Sequence, residues 1–278
     1  MLVIESQKLK VGLTGYTGFI GSAFLKKYSD TYNIRLINLR DPEFLSQIAG
    51  LDTLVHCAGL AHQDNPPAKE VYFEVNYGFT KTLVDECILR QVKQFIYLST
   101  FHVNLEKPTS YSESKVAAEN YLNSVTSKIS VSIIRPPMVY GAGCKGNFPK
   151  LVKLIKLSPV LPFKYTKNRR SIIYIENLTG FISYIINKKI AGSFTPQDER
   201  TVSVHDLARF ISACFDQKKV LLAPPQFFLS VLKTLAPNIC DRLYDDLFVD
   251  PQINLLATGY TPLVPTEIAI QKTVQSFR

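Results

Sequence analysis

Tyr111 and Lys115 stand four residues apart in Tyr111-Ser112-Glu113-Ser114-Lys115, and on a helix that spacing puts both side chains on one face. A phenol with a pKa of about 10 is a poor acid-base catalyst near neutrality, and a nearby ammonium favours the phenolate and lowers that value. A tyrosine held this way exchanges a proton with a hydroxyl or a carbonyl oxygen. The pattern also arises by chance, so its weight depends on what surrounds it.

A second chemical feature lies at the start of the chain. Thr14-Gly15-Tyr16-Thr17-Gly18-Phe19-Ile20-Gly21 follows the apolar run Lys10 to Thr14 and opens a helix-like segment, Gly21 to Tyr28. Glycines here permit a tight turn, close backbone approach to a pyrophosphate and close packing of helix on sheet. The helix N-terminus adds free N–H groups and a favourable dipole. Gly15, Tyr16, Thr17, Gly18, Phe19 and Ile20 are therefore predicted to hold a dinucleotide. The position where an NAD-preferring site carries a carboxylate is Asn38, and Arg40 lies two residues on. A guanidinium pairs with a 2′-phosphate that a carboxylate would repel, so NADP(H) is favoured over NAD(H). The alternative leaves Arg40 on the surface and gives the ribose to Asp41.

The elements that must position these residues alternate. Lys10 to Thr14, Ile34 to Leu39, Thr53 to Ala58, Phe95 to Ser99 and Val131 to Arg135 read as strands. Gly21 to Tyr28, Val75 to Arg90 and Ser114 to Val125 read as helices between them. Near-continuous apolar strands alternating with helices predict an α/β fold, a Rossmann-like parallel sheet flanked by helices. The alternation ends near Gly143. Residues 1–143 are thus expected to bind the cofactor and carry the catalytic residues. Residues 144–278 are expected to form a smaller C-terminal substrate-binding lobe, with some segments returning to the first domain. In that lobe Phe148 to Leu157, Asn177 to Asn187 and Val204 to Phe215 read as helices, the last capped by Ser203. Gln226 to Leu235 carries Phe227, Phe228, Val231, Leu232 and Leu235 at helical spacing, and core packing is expected of it rather than a membrane-bound partner.

The 278 residues are 46% hydrophobic, ample for a core. Five scattered cysteines read as free thiols in a reducing compartment, and neither they nor the four histidines have metal-ligand spacing, so no metal is expected. The formal net charge of +9 suits small anionic ligands. Lys and Arg are dispersed, apart from Lys167-Asn168-Arg169-Arg170, and no nucleic-acid-binding module is present. The first ten residues lack a hydrophobic run, and no stretch reaches the ~20 apolar residues that span a bilayer. The expectation is a soluble, cytoplasmic protein with no membrane span.

The three-residue spacing of Gly15, Gly18 and Gly21, with Leu98-Ser99-Thr100 upstream of Tyr111 and Lys115, resembles the extended short-chain dehydrogenase/reductase superfamily, also called the NAD-dependent epimerase/dehydratase family. The resemblance covers nearly the whole chain. It implies that Thr100, Tyr111 and Lys115 form the catalytic Ser/Thr-Tyr-Lys set, with Lys115 also holding the nicotinamide ribose. It places Cys57, Ala58 and Gly59 against the cofactor, Asn76 in ordering the central sheet, and Pro137 in the segment closing over the nicotinamide. Asn147 and Arg170 match residues that contact a sugar nucleotide's diphosphate, and His62 is a further candidate for the substrate. The alternative for His62, as for His102 and His205, is a surface or packing role.

Within the family the chain is similar to bacterial enzymes of surface-polysaccharide assembly. The implied reaction is NADPH-dependent reduction of a nucleotide-linked 4-keto-deoxysugar, such as UDP-2-acetamido-2,6-dideoxy-hexos-4-ulose. The alternatives are an NAD-dependent UDP-sugar 4-epimerase and a non-catalytic NADP(H) or sugar-nucleotide sensor. The missing acid at Asn38 and a stretch from Thr100 to Tyr111 shorter than in typical 4-epimerases set the epimerase second. Phe101-His102 replaces the Asp-Glu pair of a dehydratase. The resemblance also implies a homodimer, with Thr80 to Arg90 and Ser114 to Val125 as the candidate helices.

Overall fold

Apolar runs become strands where helices can cover both faces of a sheet. In the computed structural model, which describes residues 8–61, 65–104, 108–164, 166–215, 219–235, 240 and 243–277, five such runs are Lys10–Thr14 (β1), Asn33–Ile37 (β2), Thr53–His56 (β3), Gln94–Leu98 (β4) and Ser130–Ile134 (β5). Shorter strands follow at Met138–Tyr140 (β6), Val160–Leu161 (β7), Ile172–Tyr174 (β8), Gly192–Phe194 (β9) and Val220–Leu221 (β10). A six-stranded parallel sheet has the order β2-β1-β3-β4-β5-β9. Strands β3 and β4 are buried along their whole length, as expected of central parallel strands. β2, at the edge, exposes Asn33, Arg35 and Leu36.

The helices are Phe19–Tyr28 (α1), Lys69–Tyr72 (α2), Phe79–Leu89 (α3), Ser110–Ser124 (α4), Asn147–Leu157 (α5), Ile175–Lys188 (α6), Val204–Cys214 (α7) and Gln226–Leu235 (α8), with two more at Pro251–Thr258 and Thr266–Gln275. A π-helical turn, Phe73–Gly78, joins α2 to α3, so the helix expected over 75–90 is broken at Asn76. Leu83, Val84 and Cys87 of α3 and Ala118 and Leu122 of α4 form one core with Phe95, Tyr97, Val131 and Ile133 of the sheet.

The chain divides into two compact units. The first comprises Met1–Pro137 and Thr179–Pro196, so most of α6 and all of β9 belong with the main sheet. There Gln94 Nε2 reaches the Ile185 carbonyl at 3.2 Å and Tyr32 meets Ser183 Oγ at 2.7 Å. The second unit comprises Met138–Leu178 and Gln197–Arg278. Its centre is Asp198, which accepts hydrogen bonds from Tyr140 Oη (2.6 Å), Asn177 Nδ2 (2.7 Å) and the Tyr174 N–H (3.0 Å). Burial raises the Asp198 carboxyl to about 6 despite those donors. The expectation that α8 packs into a core fails for Phe227, Val231 and Leu235, which are exposed at 72%, 52% and 80%. Among the described residues no helix is long and apolar enough to cross a membrane.

Candidate active site

Parallel strands that reverse their order leave a crevice at their carboxyl ends, and here the reversal lies between β1 and β3. Gly15 leaves β1 with φ +67°, a left-handed conformation that glycine adopts without penalty. A Cβ on Gly15 would lie 2.5 Å from the Ala58 amide nitrogen, so the turn after β1 and the loop after β3 touch backbone to backbone. A Cβ on Gly21 would lie 2.3 Å from the Gly15 carbonyl oxygen, which brings α1 down onto that turn. Gly18 caps α1 with no side-chain hydrogen bond, leaving the first helical N–H groups for an anion. Thr17 and Gly18 are exposed; Tyr16, Phe19 and Ile20 are half-buried. These residues fit a dinucleotide diphosphate: the backbone is open where a phosphate must come close.

Cys57, Ala58 and Gly59 follow β3 directly. Burial pushes the Cys57 thiol up to about 12, with the Lys115 ammonium only partly opposing it, so Cys57 is a neutral wall and no nucleophile. A Cβ on Gly59 would come within 2.8 Å of Asn76 Oδ1 and 3.2 Å of Lys115 Nζ, which places this loop against the lysine.

Asn76, in the π-helical turn, is buried and tied to the protein on both sides of its amide. Its Oδ1 accepts the Leu60 N–H at 2.9 Å, and its Nδ2 donates to the Leu60 carbonyl (3.1 Å) and Ser114 Oγ (3.0 Å). Its hydrogen bonds hold the loop after β3 against α4, and it acts through that loop.

A buried relay supports the same corner. Thr80 Oγ1 gives its hydrogen to the Asn76 carbonyl at 2.6 Å, so His56 Nε2 must donate to Thr80 (3.1 Å) and His56 Nδ1 must accept from Thr14 (2.7 Å). Thr14 Oγ1 in turn accepts the Ala58 N–H at 3.2 Å. Burial, reinforced by the charge of Lys115, pushes His56 down to about 3 and keeps it neutral. Its value as a residue lies in joining the ends of β1 and β3 to the π turn.

Thr100 follows β4 and is buried. Thr109 and Ser112 form a capping box that starts α4 at Ser110, with Ser112 N–H to Thr109 Oγ1 at 3.2 Å and Thr109 N–H to Ser112 Oγ at 2.8 Å. That start sets Tyr111 in the first turn and Lys115 one turn on. Thr100 and Tyr111 share a side-chain hydrogen bond. Lys115 Nζ donates to the Leu98 carbonyl at 2.8 Å and lies 4.6 Å from the centre of the Tyr97 ring. The structure thus brings Thr100, Tyr111 and Lys115 together.

The expected lowering of the phenol is not found. Burial raises the Tyr111 pKa, and the Thr100 hydrogen bond offsets only part of this. Burial also lowers Lys115 to about 8, with its ammonium turned to a backbone carbonyl. Desolvation outweighs the partner at each group.

Three supports escaped the sequence reading. Tyr72 stands 6.0 Å from Tyr111, ring centre to ring centre. Glu119, one turn beyond Lys115, is held bidentately by Arg135 (2.5 and 3.0 Å) and accepts the Ser99 hydroxyl at 2.5 Å. His56 is the third. An Arg and a Glu sixteen residues apart carry no local signal of pairing.

At the end of β2, Asn38 is exposed and its Oδ1 accepts the Arg40 N–H at 3.2 Å, while Arg40 is exposed. Asp41 accepts the Glu43 N–H (2.9 Å) and Gln47 Nε2 (3.0 Å). Pro137 ends the first unit and is half-buried. In the second unit Asn147 is exposed at the start of α5. Arg170 pairs its backbone with Val202 and Leu247, and burial lowers its guanidinium against the raising effect of Asp245 and Asp246. Arg169 is engaged by Asp246 at 2.8 Å and lies 3.6 Å from the Phe248 ring centre. His62 lies outside the described residues.

The sequence model of the NAD-dependent epimerase/dehydratase family matches residues 11–194. The chain is 29% identical to a UDP-glucose 4-epimerase of Vibrio cholerae, over 95% of this chain and 94% of that one. It is 27% identical to an N-acetyl-alpha-D-glucosaminyl-diphospho-ditrans,octacis-undecaprenol 4-epimerase of Escherichia coli O157:H7, over 65% and 64%. The solved UDP-glucuronic acid 4-epimerase of Bacillus cereus, in complex with NAD, shares the fold with a TM-score of 0.74 and 15% identity, covering 96% of this chain and 98% of that one. These relatives overturn the expectation of a 4-keto reductase. A reductase and an epimerase need the same threonine, tyrosine and lysine, so those residues did not discriminate. The preference for NADP(H) that rested on Arg40 is likewise left without support.

Proposed function

The chain belongs to the NAD-dependent epimerase/dehydratase family, and from that premise we propose that it interconverts the 4-epimers of a UDP-linked sugar with NAD held throughout the cycle. The observation that carries this reading is the half-buried Tyr111, hydrogen-bonded to Thr100 at the end of β4 with Lys115 one turn on. Relatives that carry out 4-epimerisation and a fold neighbour bound to NAD support it.

NAD, when bound, would supply a reversible hydride acceptor for the sugar's C4. Tyr111 accepts the O4 proton as the hydride departs and gives it back on return, so the cycle has no net redox change. Thr100 holds O4 by a hydrogen bond in both halves. Lys115 has N–H groups beyond the one given to Leu98, and these hold the nicotinamide ribose. Burial keeps the Tyr111 phenol protonated in the protein alone, so its ionisation draws on the positive charge of the oxidised cofactor. Gly15 to Ile20 cradle the diphosphate, the neutral amide of Asn38 meets the adenosine ribose hydroxyls, and Cys57 to Gly59 with Pro137 line the cofactor. Asn147 and Arg170 take the UDP diphosphate.

The test is to incubate the purified protein with UDP-glucose, UDP-N-acetylglucosamine and UDP-glucuronic acid without added cofactor, following C4 stereochemistry by NMR. The expected outcome is a mixture of both 4-epimers of at least one sugar, with no build-up of reduced cofactor. Stoichiometric NADPH consumption, or an accumulating product of another class, would overturn the reading.

A further inference from the structure

We propose that the second unit docks on an anionic lipid bilayer, with α8 as its apolar anchor. Phe227, Val231 and Leu235 recur every four residues and so form one stripe along that helix. Phe227 and Leu235 are more than two-thirds exposed. A helix in a globular unit buries its apolar stripe, and a large exposed apolar patch on a protein marks an interaction surface.

The ground beside α8 repeats the pattern. Only residues 222–225 separate α8 from β10, so the stripe begins next to the β7–β10 ribbon. The ribbon exposes the paired Val160 and Val220, and Lys219 Nζ donates to the Lys156 carbonyl at 3.1 Å, which ties β10 to the end of α5. There Leu157 is 69% exposed.

Charge selects the occupant. Residues 145–175 contain eight Lys or Arg and no Asp or Glu. Residues 217–240, which include α8, contain three lysines and no acid. Lys150, Lys153 and Lys156 are exposed on α5, and Lys233 is exposed on α8. Exposed apolar side chains interspersed with exposed lysines match a membrane surface, where acyl chains take the former and anionic headgroups the latter. The proposal does not depend on the reaction assigned above.

The test is flotation of the whole protein with vesicles of phosphatidylcholine, with and without phosphatidylglycerol. Binding is expected only with the anionic lipid, and high salt should weaken it. Replacing Phe227, Val231 and Leu235 together by Ser should abolish binding, while Leu89→Ser, at an exposed leucine of the first unit, should leave it intact. If the triple variant fails to fold, Lys153→Gln with Lys233→Gln serves instead, and roughly thirtyfold weaker binding is expected. Equal binding to neutral vesicles, no binding, or binding that survives these changes would overturn the proposal. So would self-association that the triple variant removes in the absence of lipid, since the occupant would then be a second copy. Epimerisation in vesicle-free buffer is measured alongside, so loss of the docking face and loss of the reaction are told apart.

Discussion

Tyr111 is subject to opposed effects: burial holds its proton, and only the Thr100 hydrogen bond and a bound cation release it. Tyr111→Phe should therefore lower kcat by about 10²–10⁴-fold while leaving NAD bound, checked by steady-state kinetics beside cofactor content. Unaltered kcat would remove Tyr111 from proton transfer. Gly15 carries a different demand. Gly15→Ala places a Cβ in the left-handed region and 2.5 Å from a backbone nitrogen, so it should lower stability by at least 1–2 kcal/mol and weaken NAD binding. Chemical denaturation and a binding titration read the two effects separately.

Among elements, the relay from β1 through His56 to α3 and the Glu119–Arg135 pair do the positioning. His56 stays neutral in the folded protein down to about 3, whereas in the unfolded chain it takes a proton near 6.5. The unfolded state thus binds more protons between those values, and stability is lost as pH falls through that window, by up to about 1.4 kcal/mol per pH unit. His56→Gln should flatten this part of the stability–pH curve; an unchanged slope would show that His56 does not carry it. Glu119 is nearly fully buried, so Arg135→Ala leaves an uncompensated charge and should cost about 3–5 kcal/mol in urea unfolding. Replacing both partners by apolar residues of similar volume should cost far less.

For the whole molecule, a cofactor held through the cycle must bind the folded protein and not the unfolded chain. NAD at about a hundred times its Kd should add about 2.7 kcal/mol. In a chain of this length each kcal/mol raises Tm by roughly 2–4 °C, so thermal unfolding should shift clearly with NAD and much less with NADP. A larger shift with NADP would make Arg40 the reader of a 2′-phosphate.

The features written in short range were legible before any coordinates. The glycine spacing after an apolar run and the four-residue step from Tyr111 to Lys115 depend on local geometry, and a central strand such as Gln94–Leu98 announces itself by its near-continuous apolar run. What only the tertiary structure decided involves partners far apart in sequence. Asn76 and Ser114 meet across 38 residues, Thr14 and His56 across 42, and Ser99 reaches Glu119 across 20. Those contacts tie Asn76 to the loop after β3 and to α4, and make His56 a relay. The Tyr111 pKa was equally out of reach, because desolvation depends on everything packed around the ring and not on the lysine one turn away. α8 shows the same limit from the other side: its spacing marks an amphipathic helix, but whether the apolar stripe meets core or solvent depends on what the rest of the chain leaves beside it.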